Sequence, residues 1–140
     1  MQHIKDTAKK QWQKDWTENT KTGIHLRRIS RSPGGKCGPK LYNDINNRGT
    51  VTRIAHLRTG PCGLNKYLHC FGKRSSPYCK CGYGKETVEH YLIECRNYKE
   101  QRKELRKNVG HRKMKLHEIL GNAKIIKHTM EYIKATERLE

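Results

Sequence analysis

Three cysteines and one histidine in the middle of the chain have the residue types and spacing of a metal site. Cys79, Cys81, His90 and Cys95 stand in the pattern C-x-C-x8-H-x4-C. Three thiolates and one imidazole are donors that Zn²⁺ prefers, and a full set of four protein ligands is typical of structural zinc. Because a single residue separates the first two cysteines, both can bind one metal only from a turn. The glycines after them supply flexible backbone for it. The pattern predicts a structural zinc site.

An alternative interpretation of the same stretch is an uninterrupted amphipathic helix that binds no metal. Val88, Tyr91, Leu92 and Cys95 lie at positions i, i+3, i+4 and i+7, the spacing of one apolar helix face, so Cys95 could simply be a core residue. On an unbroken α-helix, residues five apart diverge by about 140°. His90 and Cys95 can therefore bind one metal only if the helix that begins near residue 87 ends or unwinds before Cys95. A disulfide or ordinary buried cysteines remain alternatives.

The composition favours small helical cores and a polyanionic partner. Of 140 residues only 33% are hydrophobic, and the formal net charge is +18. Leu, Ile, Val and Phe together make up 17% of the chain, a level at which disorder is common when the charge is high. A metal would supply part of the missing folding energy. The positive charge favours nucleic acid as the binding partner, with an anionic membrane surface as the second candidate.

Sequence signals for membrane insertion, secretion and catalysis are not found in the chain. We find no apolar run of the roughly 20 residues that span a bilayer, and no secretory signal in the first residues. Six cysteines without an export signal indicate metal binding or free thiols, hence an intracellular protein of nucleus or cytoplasm. We also find no GxSxG, no HExxH, no glycine-rich phosphate loop and no two-metal carboxylate cluster. We expect no enzymatic activity of the chain itself.

The periodicity predicts a mainly α fold, a small helical assembly that is partly loose and contains a knuckle-like turn. Trp12 and Trp16 lie on the apolar face of a helix over residues 3–17, and we expect them to anchor the core. Ile24–Ile29 reads as a strand or extended strap. The remaining segments are a loop, a helical hairpin, the cysteine cluster and basic C-terminal helices. The predicted boundaries are 1–31, 32–49, 50–77, 78–98 and 99–140.

Three further cysteines have no ligand spacing. Cys37 lies in a loop rich in glycine and proline, and we interpret it as an incidental free thiol. Cys62 and Cys70 fall within the predicted hairpin and are expected to pack as small apolar groups.

Taken together, these motifs resemble the C-terminal tail of the polyprotein of fungal-type non-LTR (LINE-like) retrotransposons. The matching stretches are WQKDW (12–16), HLRTGPCGLNKYL (56–68), CKCGYGKETVEHYLIEC (79–95), then Tyr98, Arg102 and YIKATERL (132–139). The resemblance implies a CCHC zinc knuckle that follows a reverse transcriptase and often an RNase H domain. It covers nearly the whole chain, but Arg96 stands where related sequences tend to have proline, and Pro61 where they often have histidine. No RNase H carboxylates precede Trp12.

The cations and tyrosines around the cluster are candidates for contact with RNA or DNA. Lys and Arg would neutralise phosphates without reading sequence. Exposed tyrosines could stack on unpaired bases or simply cover the metal. The candidates for phosphate contact are Lys80, Lys85, Arg96, Lys99, Arg102, Lys103 and Arg106, and those for stacking are Tyr78 and Tyr83. We expect the helix after the cluster to restart near Asn97 and to turn its basic residues to solvent.

The resulting hypothesis is a nucleic-acid-binding module that holds RNA or DNA for an upstream reverse transcriptase. The alternative is a protein-interaction or assembly module, with a structural zinc or no metal, whose basic surface is incidental.

Overall fold

Helices account for most of the regular structure, as the sequence predicts. The structure is a computed structural model that describes residues 1–33, 41–43 and 45–139. Within these residues a π turn and short 3-10 turns connect the later helices, and an isolated antiparallel β-bridge joins Tyr78 to Lys85. The α-helices are α1 (Gln2–Glu18), α2 (Ile24–Ile29), α3 (Arg48–Thr59), α4 (Asn65–Cys70), α5 (Lys99–Val109), α6 (Leu116–Gly121) and α7 (Ile126–Thr136).

Local sequence signals set the ends of α3. The side chain of Asn47 accepts a hydrogen bond from the backbone N–H of Thr50 at 3.0 Å, which satisfies one of the free donors of the first turn. At the other end, Gly60 adopts a φ of 108°, a conformation that L side chains rarely take. The predicted helix with a glycine stop is confirmed.

The core forms where α5 packs on α7 and where α6 packs on α2, α3 and α7. The contact between α2 and α6 is close, because a Cβ built on Gly121 would lie 3.2 Å from the carbonyl oxygen of Ile29. The fully buried side chains include Tyr91, Leu41, Ile54, Leu57, Leu64, Leu92, Leu105, Ile119, Leu120 and Ile133. The few apolar residues of the chain are thus concentrated in one cluster.

The segment Ile24–Ile29 is a helix, so the predicted strand or strap is wrong. A short apolar run does not distinguish the two by periodicity alone. The tertiary contacts decide it: the ring of His25 lies 2.7 Å from the carbonyl oxygen of Leu57, and Arg27 donates to the carbonyl of Trp16 at 3.2 Å. Ile29 is buried on the same helix.

Helix α1 forms as predicted, but its tryptophans do not anchor the core. Trp12 is 56% exposed and Ile4 is 72% exposed, and no residue of α1 is buried in the described part of the chain. Trp16 is half-buried, and its indole N–H donates to the carbonyl of Ser30 at 3.3 Å. Because α1 contacts the other helices mainly near its C-terminal end, most of its apolar face stays uncovered.

The two helices of the predicted hairpin exist, but α3 packs chiefly on α2 and α6 rather than on α4. Much of the predicted loop 32–49, with Cys37, lies outside the described residues. Among the helices of the described residues, none has both the length and the apolar character needed to cross a membrane.

Candidate metal centre

A tight turn carries the first two candidate ligands. The backbone N–H of Cys79 donates to the carbonyl of Gly84 at 2.8 Å, and that of Gly82 donates to the carbonyl of Cys79 at 3.1 Å. Gly82 and Gly84 have φ angles of 79° and 149°, which side-chain-bearing residues rarely adopt. The turn therefore places the Cys79 and Cys81 thiols close together, as the spacing requires.

A π turn carries the histidine and leads into the last cysteine. After one short helical step at residues 88–89, His90–Glu94 form a π turn in which the Cys95 N–H donates to the His90 carbonyl at 2.7 Å. A π turn has about 4.4 residues per turn, so residues five apart return to nearly the same side, which they do not on an α-helix. Cys95 then leaves the helix with a ψ of 127°, and a 3-10 turn begins at Arg96.

This geometry decides between the two readings of the cluster. The prediction that the helix unwinds before Cys95 and restarts near Asn97 is confirmed. The alternative of a continuous helix is wrong, although Cys95 is fully buried, as that alternative required.

The four candidate ligand atoms converge. One donor atom from each of Cys79, Cys81, His90 and Cys95 lies within 4.8 Å of the others. The Cys79 and Cys95 sulfurs are 3.6 Å apart, and the Cys81 sulfur is 3.2 Å from Nε2 of His90. Around a tetrahedral Zn²⁺ the corresponding edges would be about 3.8 Å for two sulfurs and about 3.5 Å for sulfur and nitrogen. The four residues could hold a metal ion.

The two ring nitrogens of His90 face different groups. Nε2 faces Cys81, while Nδ1 lies 3.6 Å from a carboxylate oxygen of Glu94 on the same π turn. A hydrogen-bonded carboxylate is the usual partner of the outer nitrogen of a metal-bound imidazole, and Glu94 lies just outside hydrogen-bonding distance of Nδ1. Nε2 is therefore the nitrogen available to a metal.

Burial shapes the ionisation of the thiols. Removal from water raises the pKa of Cys79 to about 12 and also raises the pKa of Cys95. Burial opposes ionisation of Cys81 too, but the backbone N–H of Tyr83 and the neighbouring thiols outweigh it and lower the pKa of Cys81. Since thiolates are the metal-binding form, a bound cation would supply the charge that the site lacks.

Arg102 is part of the scaffold of this site, which corrects its assignment as a solvent-facing phosphate contact. It is 5% exposed, and its guanidinium donates to the carbonyls of Leu92 at 3.0 Å, Cys95 at 2.7 Å and Tyr91 at 3.4 Å. One guanidinium therefore contacts three carbonyls where the π turn ends and the 3-10 turn begins, and one of them, the carbonyl of Tyr91, also accepts from Tyr132.

A buried ion pair lies on the other side of the cluster. Arg138 donates to both carboxylate oxygens of Glu86, at 2.8 and 2.5 Å, and to the side chain of Asn65 at 3.2 Å. Glu86 also accepts from the backbone N–H of Asn65 at 2.7 Å, and Asn65 donates to the carbonyl of Tyr78 at 2.8 Å. This network joins the start of α4, the cysteine turn and the residues after α7. No local sequence pattern indicates this network.

Core aromatic residues connect the π turn to the helices. Tyr132 on α7 donates through its hydroxyl to the carbonyl of Tyr91 at 2.6 Å, and the two rings pack 5.5 Å apart. Tyr98 meets Tyr91 edge to face at 5.4 Å. The backbone that carries His90 is thus held by the main core.

The other candidate contact residues lie at the surface. Lys80, Lys85, Arg96, Lys99, Lys103 and Arg106 are exposed. Lys103 pairs with Glu100 at 2.7 Å. Tyr78 and Tyr83 are 57% and 64% exposed, but the guanidinium of Arg96 stacks 3.3 Å from the ring centre of Tyr83 and covers one of its faces. The opposite face of Tyr83 and the ring of Tyr78 are open to a partner.

The remaining described cysteines differ from each other. Cys62 is half-buried against the core, as predicted, and burial raises the pKa of its thiol to about 11. Cys70 at the end of α4 is exposed, so its expected packing is wrong. Cys37 lies outside the described residues.

Comparison of the chain with protein-family models, with curated proteins and with solved structures returned no match.

Proposed function

We propose that this chain is a zinc-stabilised nucleic-acid-binding module. The observation that carries the proposal is the convergence of three cysteines and one histidine in a preformed turn, beside a helix with an exposed basic face. The function assigned to the module is to hold RNA or DNA, largely independently of sequence.

Zn²⁺ is the metal that the donor set favours. Three sulfurs and one imidazole nitrogen at near-tetrahedral separations suit a borderline-soft ion without geometric demands of its own. Cys79, Cys81, His90 and Cys95 would occupy all four positions, so the ion would serve a structural role. It would compensate for the small share of apolar residues in the chain.

Helix α5 supplies the proposed phosphate-contacting face. Arg102, Leu105 and Val109 are buried on one side of it. Lys99, Lys103 and Arg106, at i, i+4 and i+7, are exposed on the other. A row of cations along one helix face follows a phosphate backbone without contacting base edges. The net charge of +18 adds long-range attraction to any polyanion.

The resemblance of the cysteine pattern and its flanking stretches to non-LTR retrotransposon tails agrees with this function. On that resemblance the module would present template RNA or target DNA to a reverse transcriptase in the same polyprotein. The proposed location is the nucleus or the cytoplasm.

The test is the salt dependence of binding to a labelled oligonucleotide. Replacing Lys99, Lys103 and Arg106 with Gln should weaken binding to any sequence alike and lower the log–log salt slope by about 0.7–0.9 for each phosphate that is no longer neutralised. The matched control replaces three other exposed lysines with the same charge change, Lys124, Lys127 and Lys134. Equally weakened binding in both variants would refute the α5 face, and absence of salt-dependent binding by the wild type would refute the function.

A protein-interaction module is the second candidate, and the uncovered face of α1 favours it. Met1 is 98% exposed, and Ile4 and Trp12 are exposed as well. An apolar association would persist at high salt, whereas binding through phosphates would weaken steeply. Sedimentation of the chain alone and with oligonucleotide at low and high salt separates the two functions.

A further inference from the structure

A cavity of about 490 Å³ lies directly beside the metal centre. It is formed where the segment before the cysteine turn meets the 3-10 turn after Cys95 and the residues that follow α7. The lining residues that could contact a ligand are Arg74, Tyr78, Lys80, Asn97 and Tyr98. A volume in this range is typical of sites that enclose one small ligand.

Two tyrosines give the cavity aromatic walls, and both are held in place. Tyr98 packs edge to face on the buried Tyr91 at 5.4 Å. The backbone of Tyr78 is fixed from two sides, because its N–H donates to Ser76 at 3.3 Å and its carbonyl accepts from Asn65 at 2.8 Å. Tyr78 as a residue is nevertheless 57% exposed, so a flat ligand can reach its side chain.

The side chains at the cavity that remain without a partner of opposite charge are positively charged. Arg138 and Glu86 neutralise each other. Arg74 and Lys80 are exposed, and among the described residues neither forms an ion pair. The cavity thus offers two positive groups that lack an acidic partner within the described chain, and a phosphate diester would provide one.

Asn97 adds a side-chain amide to the lining of the cavity. Its side chain is exposed and makes no hydrogen bond to the described residues, while its backbone N–H points at the sulfur of Cys95. An asparagine amide carries both donors and an acceptor, which suits the edge of a nucleobase.

We propose that this cavity binds one unpaired nucleotide of the nucleic acid, with its base against Tyr78 and Tyr98 and its phosphates at Arg74 and Lys80. This inference rests on the proposed nucleic-acid function and adds a preference to it. A base that is paired and stacked in a duplex is not available to an aromatic wall, whereas a base in a single strand is. The module therefore prefers single strands, although its α5 face does not.

The test uses the zinc-loaded full chain and compares a labelled single strand with its duplex. Tyr78→Ala should weaken binding of the single strand by about 5- to 150-fold, the range that stacking on an aromatic side chain contributes per base. Duplex affinity should change by less than about twofold, since the salt-dependent contacts remain. Tyr78→Phe should retain the wild-type preference, and Phe71→Ala, at an exposed aromatic outside the cavity, should behave as wild type.

A second measurement separates this inference from the proposed function. Titration with a nucleoside monophosphate, followed by amide chemical shifts, should perturb Ser76, Lys80 and Asn97. If oligonucleotides bind but Tyr78→Ala has no effect and these amides do not shift, the cavity assignment is wrong and the general function stands. If the amides shift but no oligonucleotide binds with salt dependence, the cavity is a site for free nucleotides, and both the general function and the preference for single strands are wrong. If neither occurs, both are wrong.

Discussion

The guanidinium of Arg102 donates a hydrogen bond to the backbone carbonyl of Cys95, with 2.7 Å between Nη2 and the oxygen. Arg102 thus lies seven residues after a candidate metal ligand and holds the chain where it leaves the helix. Two further bonds, to Leu92 and Tyr91, extend this support along the π turn. A residue that looks like a surface cation in the sequence is a buried structural element.

Replacing Arg102 with Gln should therefore destabilise the fold and loosen the metal site. Buried carbonyls that lose a charged donor cost about 1.5–3 kcal/mol each, so the free energy of unfolding should fall by roughly 3 kcal/mol or more. Denaturant unfolding and the rate of zinc loss to a chelator measure this. Arg106→Gln on the exposed face of α5 is the control and should change stability by less than about 0.5 kcal/mol. Equal stability of the two variants would contradict this role.

Metal content gives the second prediction. One Zn²⁺ per chain should copurify, and Cys79→Ser or Cys95→Ser should abolish it, since each removes one of four converging donors. Cys70→Ser is the matched control, because this thiol is exposed and does not belong to the ligand pattern. This variant should retain the metal. Chelation should increase amide exchange from Cys79 to Tyr98 far more than in α1. Metal retained by both ligand variants would show that the ligand set is wrong.

Thiol reactivity should follow exposure and burial. Among the described cysteines outside the cluster, Cys70 is exposed, whereas burial raises the pKa of Cys62 to about 11. Because the thiolate is the reactive form, Cys70 should react with a thiol reagent at neutral pH well before Cys62. Mass spectrometry of partly labelled, zinc-loaded protein measures the order. Early labelling of Cys62 would show that this side chain is not packed as described.

Ionisation of Cys62 should lower the free energy of unfolding at alkaline pH. The pKa of Cys62 rises from 9.0 in its ordinary state to about 11 in the fold, so the unfolded chain releases this proton first. Its contribution is fully present below about pH 9 and is lost as the pH rises toward 11, by up to about 2 kcal/mol. Urea unfolding at pH 8 and pH 10.5 should show this loss in the wild type. In Cys62→Ala the pH-dependent part should be smaller by that amount, and an unchanged difference would contradict it.

The buried ion pair gives a fifth prediction. Glu86 is 3% exposed and accepts hydrogen bonds from both Arg138 and the backbone of Asn65. Glu86→Ala should cost about 3–5 kcal/mol in unfolding free energy, because it leaves Arg138 partly buried without its anion. Glu89→Ala removes a more exposed partner of Arg28 and should cost less than about 1 kcal/mol. Thermal and denaturant unfolding compare the two.

The sequence predicted most of what local patterns determine. The four candidate ligands follow from residue type and spacing, and the unwinding before Cys95 follows from helix geometry once one metal is assumed. The ends of α3 follow from Asn47 and Gly60. These features depend on residues close together in the chain.

The errors concern contacts between residues far apart in the chain. The burial of Arg102 depends on three carbonyls that the end of the π turn brings within reach of one guanidinium, and composition does not reveal that arrangement. Ile24–Ile29 is helical because of its contacts with α3 and α6. Trp12 is exposed because, within the described residues, α1 meets its neighbours mainly near its C-terminal end, although its periodicity is that of a buried helix.

The order of synthesis gives the Arg102 and Arg138 contacts a consequence for assembly. The four candidate ligands are complete once residue 95 has been made, but Arg102 and Arg138, which hold the surrounding backbone, are translated afterwards. Because a chain emerges from its N-terminus, an early metal ion would meet the donors on a loop whose carbonyls and carboxylate still lack their partners. Capture of the ion and rigidification of its site would then be separate events, with the second waiting for the C-terminal arginines.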